Sequence, residues 1–367
     1  MITMENKQRV KTIAVIFIIA IVLISLTTEF LYIFNNKYTY SKLQPEKGVL
    51  TLSQEEIDSN SFHFLIKDWE FYEDALLTPT YFKNQTSLPN MKYVSIGDTE
   101  SAYTSQTKNN TFIGTYRMKI NFPEKEGFYA LEMPQVYSAY ELYINDKLYL
   151  KVGDTHNYKT QIQNRCTFFN ASGETYITIA VKDASGIKAG ITSPPTLGKP
   201  YSINITRAFK FLINNFIMTL IFFGALFSLI LAISGKSNYS YMFFFMCLTY
   251  AVYLNHPLIN LCFSMGGNFS YVFEYFCTHF VYLMVIMLQN RLCNLNKNVS
   301  SISEICGSVF CAIAFVYGVF TPYLSAPLCT FLSTLCNVFE WLAAIYLVAI
   351  GTYAVFNDIK YGRIFLF

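Results

Sequence analysis

The sequence has few charged residues, and the shortage is concentrated in one half of the chain. Asp, Glu, Lys and Arg make up 14% of the 367 residues, whereas a soluble globular domain carries about a quarter. Residues 36–205 have the polar composition of a soluble domain, while residues 206–367 are almost entirely apolar. The first segment is therefore expected in water and the second in lipid.

Basic runs and catalytic motifs are both lacking. The net charge is +3, without a long run of Lys or Arg, so no nucleic-acid partner is expected. The sequence contains no P-loop, G-x-S-x-G, HExxH or dinucleotide-binding glycine motif. The polar segment also holds no recognisable acid–base pair of carboxylates. These residues predict no catalytic site and no cofactor, and they leave open whether a longer protein would be an enzyme.

The polar segment lacks a second cysteine. Of nine cysteines in the chain, Cys166 alone lies in residues 36–205, which excludes a disulfide framework there. The other cysteines lie in or beside the apolar half, where such residues usually act as small packing groups. No C-x-x-C pair is present, so no metal site is predicted.

Long hydrophobic runs are abundant. Residues 12–33 form the first of them, about 22 residues long, which is enough to cross a hydrocarbon core of ~30 Å. Lys7, Arg9 and Lys11 precede it, so its N-terminus is expected to stay in the cytoplasm. We interpret residues 1–35 as a cytoplasmic tip and an uncleaved signal-anchor helix. Cleavage as a signal peptide stays open as the alternative.

Five more spans are predicted, at residues 211–233, 240–262, 270–290, 303–322 and 327–356. The loops on one side of the resulting arrangement hold the basic residues Lys236, Arg291, Lys297, Lys360 and Arg363, and the short loops on the other side hold none. This bias predicts a multi-pass plasma-membrane protein with residues 36–205 outside the cell. Arg207 and Lys210, at the outer end of the second span, are the exception, and we expect them to snorkel to the headgroups.

The polar segment alternates apolar and polar residues with the period of a β-strand. Every second residue is apolar in GTYRMKINF (114–122), in SAYELYIND (138–146) and in ETYITIAVKD (174–183). Asn145 and Asp146 predict a hairpin turn. Short strands separated by Gly, Pro and Asn predict an antiparallel sandwich or jelly roll. Residues 190–205, with three prolines, are interpreted as a stiff linker to the second span.

Four segments together resemble one family of membrane proteins. They are DWEFYEDALLTP (68–79), GTYRMKINF (114–122), LEMPQVYSAYELYINDKLYLKVGD (131–154) and SGIKAGITSPPTLGKPYSI (185–203). In this order they resemble the extracellular jelly-roll domain of bacterial seven-transmembrane receptors with diverse intracellular signalling modules. VFEYFCTHFVYLMVIMLQNRL (272–292) is similar to that family's membrane domain, and the resemblance covers residues 45–365.

The resemblance implies a sensory receptor. In that family an outer jelly roll that binds small molecules, with carbohydrates the first candidates, precedes seven helices and a cytoplasmic output module such as a histidine kinase or diguanylate cyclase. Here residues 206–367 hold five complete helices and the start of a sixth at Ile364. We therefore expect a truncated chain without its output module. We also expect a homodimer, since receptors that drive kinases or cyclases often work as dimers.

Four residues of the polar segment are candidates for ligand binding: Trp69, Tyr72, Tyr81 and Arg117. Aromatic faces stack on sugar rings, and an arginine can clamp carboxylates or hydroxyls. Core packing is the alternative for the aromatic residues. A surface position or an ion pair is the alternative for Arg117.

Three ionisable residues in predicted spans are candidates for coupling within the membrane. Glu274 and His279 lie in the span at 270–290, and Glu340 lies in the span at 327–356. Ionisable groups are rare in lipid and point to a functional role, such as a relay or gate. A buried hydrogen-bonded pair that fixes helix packing is the alternative.

Two other functions stay open beside the receptor. A transporter or channel would use the outer domain to capture its substrate, and it would need polar pore linings or broken helices near the midplane. A membrane-anchored carbohydrate-binding or carbohydrate-cleaving protein would need only one anchor. A cleaving enzyme would also need two placed carboxylates.

Overall fold

A computed structural model describes residues 43–59, 62–84, 90–96, 112–184, 189–235, 239–263 and 267–359, with the isolated positions Val22 and Leu26. A β-rich part comes first, and five long helices follow it. The predicted order of a β-rich domain and an apolar helical region is therefore confirmed. The signal-anchor helix expected over residues 12–33 lies outside the described residues.

The β-rich part consists of two sheets. The strands are β1 (Val49–Thr51), β2 (Phe62–Phe64), β3 (Trp69–Glu73), β4 (Met91–Val94), β5 (Phe112–Asn121), β6 (Gly127–Met133), β7 (Ala139–Ile144), β8 (Lys147–Val152), β9 (Arg165–Ala171), β10 (Glu174–Asp183) and β11 (Thr196–Gly198). The large sheet has the order β4-β3-β5-β10-β7-β8, and β1 pairs in parallel with the end of β5. The small sheet has the order β2-β11-β6-β9. Two short helices, α1 (Gln54–Asp58) and α2 (Pro79–Asn84), complete this part.

One hydrophobic core lies between the two sheets, which makes this part a β-sandwich. The large sheet contributes alternate residues of β5, β7 and β10, such as Met118, Leu142 and Ile179, all fully buried. The small sheet contributes Leu131 and Leu197 to the same core. The inward faces predicted from the period-two pattern of these strands are confirmed.

The predicted hairpin is also present. β7 and β8 pair in antiparallel fashion, and Asn145 and Asp146 lie in the turn between them. Asn145 has a φ of 51°, in the left-handed region that Asn tolerates better than most residues. Its side chain accepts a hydrogen bond from the backbone N–H of Tyr176 at 2.8 Å, which fastens the turn to the start of β10.

The described residues of the helical part form five long helices. They are α3 (Pro200–Ile233), α4 (Ser240–Phe263), α5 (Gly267–Leu292), α6 (Lys297–Phe320) and α7 (Ala326–Phe356). In the described part of the chain, four of them, α3, α5, α6 and α7, are long and apolar enough to cross a membrane. Each helix covers most of the span predicted for it, and the ends agree within a few residues except at the start of α3 and α6.

The linker expected over residues 190–205 is largely regular structure, which corrects the sequence interpretation. Residues 196–198 form strand β11 of the small sheet, and helix α3 already begins at Pro200. Proline suits the first helical position because its missing N–H has no partner to lose there. Ile203 is buried where the first turns of α3 meet the small sheet. The β-sandwich is therefore joined to the first described long helix without a free segment.

Candidate functional site

Arg117 lies at the centre of a cluster on the outer face of the large sheet. Its guanidinium carbon is 4.3 Å from the ring centroid of Phe82 on α2 and 4.3 Å from that of Tyr176 on β10. One of its nitrogens is 3.5 Å from Glu70 Oε2. A guanidinium held between two rings and paired with a carboxylate is fixed in orientation. The structure thus shows the ion-paired arginine that was the alternative for this residue.

Tyr72 belongs to the same cluster. Its hydroxyl donates to Glu70 Oε2 at 3.1 Å, and its ring meets Phe82 edge-on at 5.1 Å between centroids. Burial, with the neighbouring Glu70 carboxylate, raises the pKa of Tyr72 to about 12. Tyr81 lies beside this cluster, half-buried, with its ring 6.3 Å from that of Phe82. Three of the four candidates therefore come together at Phe82.

Trp69 is separated from the other candidates. Successive residues of a strand point to opposite faces, so Trp69 and Phe71 enter the core while Glu70 and Tyr72 face outward. Trp69 is fully buried, and its indole N–H donates to the Leu65 carbonyl at 3.0 Å. Its ring has no face that a ligand could reach in this structure, and core packing accounts for its position.

A hydrogen bond links the sandwich to the helices. Tyr137, in the loop between β6 and β7, donates from its hydroxyl to Glu274 Oε2 of α5 at 3.0 Å. Glu274 lies near the start of the apolar part of α5, which begins at Val272. The carboxylate expected inside a span is thus at its sandwich-facing end. Burial raises the pKa of Tyr137, and the Glu274 carboxylate adds to that effect.

The loop that carries Tyr137 is fastened to the sandwich by its neighbour, Ser138. The buried Ser138 hydroxyl donates to Asp183 Oδ2 at 3.1 Å and accepts from the Gly190 N–H at 3.0 Å. Tyr137 itself packs on Ile162. The tyrosine is therefore held by residues at the end of β10 and at the start of the segment that leads to α3.

His279 and Glu340 meet between helices α5 and α7. The His279 ring is fully buried, and its Nδ1 is 3.8 Å from Glu340 Oε1 and 3.0 Å from the Tyr275 carbonyl oxygen. The ring stacks on Phe339 at 5.7 Å between centroids. Nε2 of His279 has no hydrogen-bond partner among the residues that the structure describes. The two candidates predicted in separate spans are thus neighbours.

A second polar cluster, which the sequence did not single out, lies at the opposite end of α5 from the sandwich. Asn290 is buried and donates to Ser303 Oγ at 2.9 Å, while the Tyr346 hydroxyl donates to Asn290 Oδ1 at 2.7 Å. Ser300 donates to Glu304 Oε1 at 2.8 Å. We call these five residues the far-end network. Its only sequence signal is the polar spacing of residues 300, 303 and 304 at the start of α6.

Helix α5 contributes a residue to the contact with Tyr137, to the His279–Glu340 pair and to the far-end network. Glu274, His279 and Asn290 lie on this one helix, so the contact with the sandwich and the far-end network are about 24 Å apart along its axis. The helix packs against α4, α6 and α7. Helix α6 approaches it closely at Gly307, where an added Cβ would lie 3.0 Å from Leu283 Cδ1. A displacement of the sandwich-facing end of α5 would therefore also move the helices packed against it.

No metal centre is present in the part of the chain that the structure describes, since no three His, Cys, Asp or Glu side chains come close enough to hold an ion. Among the described residues, the cluster around Arg117, the sandwich–helix contact and the far-end network lie in three separate locations.

Comparisons with known proteins give no family. No protein-family model matches the chain, and no curated protein matches it. The resemblance to seven-transmembrane receptors thus has no counterpart among the family models.

Solved structures that share some likeness are glycoside hydrolases. A GH2 β-galacturonidase from Eisenbergiella tayi bound to galacturonate is 10% identical, with a TM-score of 0.27, covering 38% of this chain and 24% of its own. The Faecalibacterium prausnitzii β-glucuronidase is 14% identical, with a TM-score of 0.28, covering 38% of this chain and 31% of its own. A β-glycosidase from Bacteroides vulgatus is 17% identical, with a TM-score of 0.24, covering 37% of this chain and 20% of its own. The chain spans a fifth to a third of these enzymes, and likenesses this slight carry no argument about its function.

Proposed function

We propose that the chain is a membrane sensory protein. Its β-sandwich binds a small ligand outside the cell, and the helices pass the resulting change across the membrane to a cytoplasmic output module. The single observation that carries this proposal is the hydrogen bond from Tyr137 to Glu274. It gives the sandwich a contact with α5, in addition to its covalent connection to α3.

A sensory role needs an element that responds to the sandwich and reaches the other side of the membrane. Helix α5 is the candidate for this element, since Tyr137 contacts one end of it and Asn290 joins the far-end network at the other. The pair His279–Glu340 lies between them and ties α5 to α7. A ligand shifts such an arrangement only by binding its two states with different affinity.

The candidate ligand site is the cluster around Arg117. The Arg117 side chain is 19% exposed, and the half-buried Tyr81 adjoins the Phe82 ring that the guanidinium also contacts. An arginine with aromatic neighbours can bind hydroxyl or carboxylate groups, which suits a carbohydrate ligand. Tyr72 contributes indirectly, since its hydroxyl donates to the Glu70 carboxylate that pairs with Arg117.

The proposed orientation places residues 36–205 outside the cell and the far-end network at the cytoplasmic surface. The support is the distribution of Lys and Arg among the predicted loops. With this orientation the two ends of α5 lie on opposite sides of the membrane.

The proposal is tested on the full chain in nanodiscs with a panel of neutral and acidic monosaccharides. Thermal unfolding of the sandwich identifies a sugar that binds, and hydrogen exchange then reads residues 289–304 with and without it. We expect the bound sugar to change exchange at the far-end network. A sugar that stabilises the sandwich and leaves the helices unchanged would contradict a sensory role and favour simple binding.

A further inference from the structure

A small polar cavity lies where helix α3 meets the small sheet. Its volume is about 50 Å³, and its lining combines apolar side chains with Glu132, Asn164, Thr206 and Lys210. By the space that a buried water needs, it has room for roughly three or four waters. That volume suits a small polar group and is too small for a sugar ring.

The acidic side chain of this cavity, Glu132, already has a hydrogen-bond donor and a basic partner. Glu132 Oε1 accepts from Asn164 Nδ2 at 3.0 Å and lies 3.5 Å from Arg207 Nε. Lys210, one turn further along α3, has no ion-pair partner among the residues that the structure describes. The cavity and its rim therefore carry one positive charge in excess, and the Lys210 ammonium supplies it.

The height of these two basic residues relative to the membrane follows from the length of α3. The helix has 34 residues and is thus about 51 Å long, well above a hydrocarbon core of ~30 Å. Its apolar stretch, 211–233, fills that core. Lys210 and Arg207 then lie about 2 and 6 Å beyond its edge, inside the headgroup layer of roughly 5–7 Å on each side.

Two observations thus meet at one place. Arg207 and Lys210 are the exceptions to the charge pattern of the predicted loops, and the cavity beside them has a positive charge that no described residue neutralises. We propose that this cavity binds the phosphate of an anionic lipid headgroup, with Lys210 as the direct ligand and Arg207 held in place by Glu132. The site depends on the helices lying in a membrane and not on the sensory function.

The experiment uses the full chain in an uncharged maltoside detergent. Thermal unfolding is followed during titration with short-chain phosphatidylglycerol, with diacylglycerol of the same chain length, and with inorganic phosphate. We expect a saturable rise of the unfolding midpoint with phosphatidylglycerol and none with diacylglycerol. A rise of equal size with inorganic phosphate would identify free phosphate as the source of the same bound group.

Variants assign the effect to the cavity. Lys210→Gln removes one charge-assisted hydrogen bond and should raise the half-saturating lipid concentration by roughly tenfold or more, while Lys210→Arg should stay close to the wild type. Lys125→Gln, which removes an exposed charge at the β5–β6 turn, is the matched control and should have no effect. Equal titration curves for Lys210→Gln and the wild type, or a rise that never saturates, would overturn the proposal.

Discussion

Tyr137 and Tyr143 each donate a hydrogen bond to a carboxylate, but the two bonds differ in what they join. Tyr143 donates to Glu141 at 2.7 Å within strand β7. Tyr137 donates to Glu274 at 3.0 Å, on a helix 137 residues further along the chain. Loss of the first bond affects the sandwich alone, whereas loss of the second also changes what α5 contacts. The pair therefore offers a matched comparison at the level of single atoms.

Trp69 is expected to act as a core residue. Because its side chain is fully buried, Trp69→Ala should lower the free energy of unfolding of the sandwich by about 3–5 kcal/mol. Phe128 is 56% exposed and stacks on Phe168, so Phe128→Ala should cost about 1 kcal/mol or less. Chemical denaturation checks both values. Similar losses for the two variants would contradict the assignment of Trp69 to the core.

Tyr72 makes the stability of the sandwich sensitive to alkali. The folded-state pKa of about 12 lies above the ordinary value of 10, so the folded state keeps its proton longer than the unfolded state. The stabilisation is complete below pH 10 and is lost as the pH rises towards 12, by at most about 3 kcal/mol. Tyr72→Phe should therefore show a shallower loss of stability between these pH values in denaturation experiments. Parallel curves for the two proteins would contradict this.

At the scale of elements, strict period-two alternation was the reliable signal. It predicted the inward faces of β5, β7 and β10, because ten or fewer residues with one buried face leave little freedom of register. Strands β1, β2 and β11 have three residues each, too short for a period to be visible. The start of α3 was missed because three prolines suggested a linker, although one of them occupies the first helical position.

Close packing of α5 and α6 depends on Gly307. An added Cβ there would lie 3.0 Å from Leu283, whereas none of the neighbouring atoms described lies within 4 Å of a Cβ at Gly224 on α3. Gly307→Leu should therefore force the two helices apart and cost about 1–3 kcal/mol. Gly224→Leu is the control and should leave the unfolding midpoint almost unchanged. Thermal unfolding in detergent compares them, and equal midpoints would show that the helices do not pack in this way.

At the scale of the whole molecule, the sequence predicted a β-rich part followed by apolar helices. It identified candidate residues in the helices without their partners. Glu274, His279 and Glu340 stand out in any apolar run. No sequence pattern reveals that Glu274 contacts Tyr137 or that His279 contacts Glu340, because these contacts join residues more than sixty positions apart. The far-end network was missed because its members are ordinary polar residues until three helices bring them together.

The central claim is that the state of the sandwich reaches the far end of α5. The measurement that tests it most directly is hydrogen exchange of the full chain in nanodiscs, comparing Tyr137→Phe with the matched control Tyr143→Phe. Because a hydrogen bond to a carboxylate is lost at the sandwich–helix contact, Tyr137→Phe should speed exchange in the first turns of α5 by roughly tenfold or more. The same variant should also change exchange at residues 289–304, and Tyr143→Phe should change neither region. If Tyr137→Phe alters only the loop between β6 and β7, or if both variants give the same helix exchange, the sandwich and the helices are not coupled through this contact.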